Sequence, residues 1–166
     1  MSIRKRIYAL VLFALPLWLI AAGGCKPGLI GPEKIPPQNR IALAGESGSG
    51  AWDTNDLVVS YQYQREPGRL RISGKVDFLG GVSNFDAFER FSLTLYLLNG
   101  AGDVIGNRRI AAAGYYKEVR PISFDRTIQL PDGTVAMAFG YNGTVVSGGS
   151  GDDGGSSWQF WETPGG

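Results

Sequence analysis

RLRISGKVDF, from Arg69 to Phe78, alternates without a break. Leu70, Ile72, Gly74, Val76 and Phe78 fall on one side of an extended chain, and Arg69, Arg71, Ser73, Lys75 and Asp77 on the other. Successive side chains of a strand point to opposite faces, so this period of two describes a strand with one face on a core and one in water. The same pattern recurs on either side. Upstream, Leu57, Val59, Tyr61 and Tyr63 alternate with Val58, Ser60, Gln62 and Gln64, and EPGR at Glu66 to Arg69 supplies the turn between the two strands. Downstream, Phe91, Leu93, Leu95 and Leu97 share one face of a strand from Phe91 to Leu98, and NGAG closes a hairpin into DVIGNRRIAAA.

The remaining segments extend this reading. GGVSNFDAFER is a long connection in which Phe85 and Phe88, three apart, predict one helical turn over the end of the core. Further strands are expected at Ile122 to Leu130, Val135 to Tyr141 with an extension to Val146, and Ser157 to Glu162. PDG at Pro131 to Gly133 joins the first two of these tightly. Seven or so short strands with turn signals at this spacing predict an all-β fold, an antiparallel, immunoglobulin-like β-sandwich over residues 52–163. A small closed barrel would need more even strand lengths.

Composition agrees. The chain has 166 residues, enough for one domain, and its 25 glycines are about twice the usual share. There is no histidine and only one cysteine. That removes the commonest general base, the usual catalytic triad, the imidazole metal ligand and any disulfide within the chain. An enzyme would have to work with carboxylates, Lys, Tyr or Ser alone. Neither a metal nor a cofactor is expected. Of the 16 basic residues, Arg4, Lys5 and Arg6 sit at the start, and without them 13 basic groups face 15 acidic ones. So near-neutral a domain has no footprint for nucleic acid.

The first residues carry a second kind of information. Arg4, Lys5 and Arg6 precede an apolar run from Ile7 to Ala22, followed by Gly23, Gly24 and Cys25. Charge, apolar core and then small residues is the secretory signal pattern. As a helix the run would reach roughly 24 Å, short of the ~30 Å hydrocarbon core, and Pro16 would weaken it further. AAGGC resembles the lipobox of bacterial lipoproteins, apart from Ala22 standing where Leu is preferred. The resemblance implies cleavage after residue 24, a diacylglyceryl thioether on Cys25 and attachment to a membrane through acyl chains. Lys26 after the cysteine favours the outer membrane over the inner one in that resemblance. An ordinary secreted protein and an uncleaved anchor are the competing readings. Residues 25–51, rich in Pro, Gly and Ser, then read as a tether, with Ile41 to Ala44 as an alternative first edge strand.

Leu70 to Asn107 also resembles the bacterial immunoglobulin-like domains named FxLYD. The matching positions are Gly74, Val76, Leu93, Leu95, Tyr96, Gly102, Val104 and Ile105, while Leu97 replaces the usual Asp. That likeness implies a non-catalytic envelope domain.

Five features are candidate sites. Arg69, Arg71 and Lys75, extended by Arg65, form a basic face for anionic headgroups or an acidic partner, or else a charged edge that discourages aggregation. In SWQFWE, Trp158 and Phe160 point to one side and Trp161 to the other; an exposed Trp161 would stack on a sugar or anchor a protein, or else cover a sheet end. Tyr115 and Tyr116 pose the same choice. Asp152 and Asp153 sit in a Gly/Ser-rich loop with too few acids for a calcium loop. Asp125, Glu118 and Asp86 are the carboxylates nearest apolar company, and nothing in their spacing pairs two of them across a cleft. The expectation is a lipid-anchored envelope protein whose sandwich binds or scaffolds a protein partner. Second comes a carbohydrate- or envelope-polymer-binding module, and third a carboxylate-dependent hydrolase.

Overall fold

The computed structural model describes residues 34–148 and 155–165, with the side chains of Tyr115 and Tyr116 left out. Cys25, Asp152 and Asp153 lie outside the described residues. Among the described residues, nine strands run in order: β1 Ile41–Ala42, β2 Ser47–Asp53, β3 Leu57–Glu66, β4 Arg69–Phe78, β5 Ala87–Leu98, β6 Val104–Glu118, β7 Ile122–Gln129, β8 Ala136–Ser147 and β9 Ser156–Glu162. One sheet is ordered β2-β3-β4-β7. The other is ordered β1-β8-β5-β6, with β9 beside β8 on the same edge as β1. Every neighbouring pair is antiparallel. The two sheets pack face to face as a sandwich. Immunoglobulin domains order their strands A-B-E-D and C-F-G. The likeness here is therefore one of architecture, with a different strand order.

The alternating stretch behaves as its pattern requires. Leu70, Ile72 and Val76 of β4 are fully buried, while Arg69, Arg71 and Lys75 are exposed. β4 is flanked on both sides, by β3 from Leu57↔Phe78 to Glu66↔Arg69 and by β7 from Arg69↔Gln129 to Val76↔Ile122. From the facing sheet, Leu93, Leu95, Met137 and Phe139 complete the same core.

Residues 34–51 correct the tether reading. SGSGAWD is not a flexible linker but a full strand, paired with β3 from Ser47↔Gln64 to Asp53↔Val58. Its glycines have a packing role: a Cβ on Gly48 would come 2.7 Å from the Tyr63 ring, and one on Gly50 would come 2.7 Å from the Tyr61 hydroxyl. Each Tyr ring covers the glycine backbone opposite it, which offsets the weak strand preference of glycine. The segment before β1 is also built in. Ile35 is fully buried with Tyr96, Leu98, Val104, Ala136 and Ala138 in a second, smaller core on the outer face of the five-stranded sheet. Ile35 N donates to Gly102 O at 2.9 Å, Arg40 Nε donates to Ile35 O at 2.7 Å, and Asn39 Nδ2 donates to Pro164 O at 2.9 Å. This second core explains why Tyr96, Leu97 and Leu98 are buried consecutively at the end of β5.

Of two connections, one differs from expectation and one agrees with it. Phe85 and Phe88 do not share a helical turn: a short 3-10 turn covers Val82–Asn84, and β5 starts at Ala87. Phe88 is pulled into the strand because it pairs with both Lys117 and Val145 and its ring meets Phe78 at 4.7 Å. PDG joins its two strands tightly, as expected. It carries the chain from β7 in the four-stranded sheet to β8 in the five-stranded one, with Gly133 at φ 81° and Thr134 Oγ1 donating to Pro131 O at 2.6 Å.

Candidate functional site

The basic face is balanced once the sheet is assembled. Arg71 donates to both carboxylate oxygens of Asp125 on β7, at 3.2 and 2.7 Å, and Lys75 lies 2.7 Å from Asp77. Arg69 stands opposite Glu66 in the register. The Arg71 bonds hold Asp125 below the usual aspartate pKa. Arg65 leaves this face altogether. It projects from the inner side of β3 and caps the backbone, donating to Leu43 O at 3.3 Å and Thr134 O at 3.0 Å. Two of the three outward cations thus meet acids, the third has Glu66 as its register partner, and the surrounding Ser47, Ser49, Gln62 and Gln64 are neutral.

The candidate carboxylates are held in surface pairs or turns. Glu118 is bonded to Arg120, which keeps it below the usual glutamate pKa. Asp86 Oδ2 accepts from Gly148 N at 3.3 Å. Among the described residues, no group of three or more Cys, Asp or Glu side chains is arranged to hold a metal.

The outer face of the five-stranded sheet has a different character. Strand alternation buries Phe160, stacked on Phe91 at 6.1 Å, and turns Trp161 outward to 65% exposure. Trp158 instead lies over Gly81 and beside Phe85, closing an end of the sandwich. Register then lays out two rows across this face. Trp161, Asn142, Ser92 and Ala112 form one, and Gln159, Thr144, Arg90 and Gly114 the other. Arg90 Nε donates to Thr144 Oγ1 at 3.2 Å.

Beyond Asn142, the register partner of Trp161, the face opens towards the β6 edge into a groove of about 1330 Å³ lined by Arg90, Ser92, Arg109, Asn142 and Lys117, and by Pro121, Ile122 and Ser123 at the start of β7. Two local features create it. The edge strand β6 carries Ala112, Ala113 and Gly114 at this point, and among the described side chains no bulky one from these positions fills the space. Register also shifts between Phe88 and Arg90 against both neighbours: Glu89 is an extra residue relative to β8, whereas relative to β5 it is β6 that carries the extra residue. Arg90, Arg109 and Lys117 face one free acid, Glu89, because Glu118 and Arg120 occupy each other. The groove is therefore net positive. Tyr115 and Tyr116 belong to β6 immediately after Gly114. Sequence reasoning had singled out Trp161 but missed Arg90, Arg109 and Asn142; the outward alternation of Arg90 and Ser92 along β5 was the available signal.

A second polar cluster, also missed, sits at one end of the sandwich. The Tyr141 hydroxyl donates to Asp56 Oδ2 at 2.7 Å, and burial drives its pKa well above the ordinary phenol value. Glu162 pairs with Tyr141 in the register, and its carboxyl pKa is raised, first by burial and then by the Asp56 charge. A carboxyl raised in the folded state costs stability once pH exceeds its ordinary range, and the cost vanishes at lower pH where both states are protonated. Glu162→Gln is expected to raise the melting temperature at pH 7 by at most a few degrees and to leave it nearly unchanged at pH 3, read by calorimetry.

No protein-family model matches the chain, and neither a curated protein nor a solved structure matches it.

Proposed function

We propose that this is a lipid-anchored protein of a bacterial envelope, attached through Cys25 to the outer membrane, whose sandwich is a non-catalytic binding module for an acidic glycan or related envelope polymer. The binding surface is the outer face of the five-stranded sheet. The observation that carries this reading is Trp161, 65% exposed on the same face as a net-positive groove. An indole supplies a flat apolar platform for a sugar ring. The Asn142 amide can bond hydroxyls, and the Arg90 and Arg109 guanidiniums suit carboxylate or phosphate substituents. The groove is open, which suits a polymer better than a small enclosed ligand.

The anchor reading rests on the resemblance of AAGGC to a lipobox. Described structure begins at Lys34, nine positions after Cys25, so this linker spans at most about 30 Å. That holds the sandwich near the bilayer, where envelope polymers are dense.

Two experiments test the two halves. Titrating the full chain with an acidic polysaccharide should quench tryptophan fluorescence, while a neutral polysaccharide should quench less. Trp161→Ala should weaken binding roughly tenfold, equivalent to ~1.4 kcal/mol, with an unchanged melting temperature. Equal binding by wild type and variant would refute the surface assignment. Separately, Cys25→Ala should abolish membrane attachment of mature protein, leaving it soluble or as precursor. A variant that matures normally and still sediments with membranes would refute the anchor.

A further inference from the structure

The two sides of the sandwich treat their strand edges differently. On one side lie β6 and β7. β6 carries Arg108 and Arg109 and breaks register with β5 at three places; β7 carries Asp125 and Arg126 in its middle. Charges and bulges of this kind keep a sheet edge from pairing with another strand. On the opposite side lie β2, and β9 beside β8, placed there by sheet order and by the packing of Trp52 of β2 on Tyr141 of β8. β2 pairs with β3 in unbroken register over its seven residues and, among the described residues, with no other strand. Its side chains are small up to Trp52, and its only charge is the last residue, Asp53.

The hydrogen bonds show which backbone groups of β2 are open. Arg65 N donates to Glu46 O at 2.6 Å, and Thr54 N donates to Leu57 O at 3.0 Å. Both bonds involve even-numbered positions flanking β2, and antiparallel pairing alternates. Gly48, Gly50 and Trp52 therefore direct their N–H and C=O groups at β3, whereas Ser47, Ser49, Ala51 and Asp53 direct theirs away from the sheet.

We propose that this edge is a self-association surface, on which β2 pairs antiparallel with β2 of a second copy about a two-fold axis at Gly50. The register that overlaps the whole strand is also the one that matches the chemistry. It sets Ser49 against Ala51 and Ser47 against Asp53 of the second copy, all residues with open backbone groups. The acid meets a serine hydroxyl, and the two Asp53 carboxylates lie at opposite ends of the interface. On the inner side Trp52 stands in register with Gly48 of the second copy, which brings no side chain of its own and is covered by the Tyr63 ring. Gly50 faces itself at the axis, where a non-hydrogen-bonded pair brings the backbones closest.

The test uses the full chain in detergent, with protein mass followed by light scattering over a range of concentrations. Wild type is expected to run as a dimer. Ala51→Pro removes an outward N–H without touching the β2–β3 ladder, as proline on an edge strand can. Ser49→Lys brings two like charges near the axis. Both should weaken the dimer at least roughly tenfold while keeping the wild-type melting temperature, and Ser49→Thr should leave it intact. Should Ala51→Pro fail to fold, Ser49→Lys decides. A monomeric wild type, or a dimer that survives Ser49→Lys, would overturn the proposal.

Discussion

Phe139→Ala should destabilise the domain by about 3–5 kcal/mol, the range for removing a fully buried aromatic side chain. Phe139 is 1% exposed, and its ring lies 5.6 Å from Trp52 and 5.2 Å from Tyr61. It therefore joins the five-stranded sheet to β2 and β3 at once. The cavity left behind would be bordered by β3 and β8, each paired on both sides, which cannot readily collapse into it. Because domains of this size are held by only about 5–15 kcal/mol, the variant should unfold at a much lower urea midpoint, with little change in slope. A loss below ~1 kcal/mol would mean that the two sheets do not meet at this ring.

Gly74→Ala should be nearly as damaging, though it adds a single methyl group. A Cβ there would stand 2.1 Å from the backbone oxygen of Ser60, 2.8 Å from the Phe124 ring and 3.0 Å from the Tyr61 Cα. Two of the three obstacles are backbone atoms of the neighbouring strand, so relief requires β3 and β4 to part. The cost should lie at or above the upper end of the ~1–3 kcal/mol typical of overpacking. Urea denaturation of Gly74→Ala and of a Gly68→Ala control would separate crowding from the general effect of a lost glycine. Gly68 has open space around its Cβ direction but a φ of 70°, so its cost is one of backbone strain alone.

These two residues also mark how far the sequence could be read. β3, β4 and the β5–β6 hairpin were legible because their buried and exposed positions alternate, and each keeps one face on the main core. β2 was not, because Ser-Gly-Ser-Gly-Ala carries no apolar period. What makes it a strand is the covering of its glycines by Tyr61 and Tyr63 from β3. Ile35 lay hidden among prolines, and its burial depends on Tyr96 and Leu98, which are distant in the chain. The candidate site divides the same way. Alternation along β9 was enough to suggest Trp161, but the groove depends on a register shift at Glu89 and on small residues of β6 falling beside Arg90. The basic strip on β4 looked positive because Asp125, its main counter-charge, arrives from β7 on a strand 54 positions away.

The central claim is that the outer face of the five-stranded sheet is the binding surface. It is tested most directly by mapping amide and indole chemical-shift changes of the labelled chain as an acidic polysaccharide is added. The shifts should concentrate on the Trp161 indole, Asn142, Ser92 and Arg90. Shifts confined to the opposite sheet, around Arg69, Arg71 and Lys75, would contradict it.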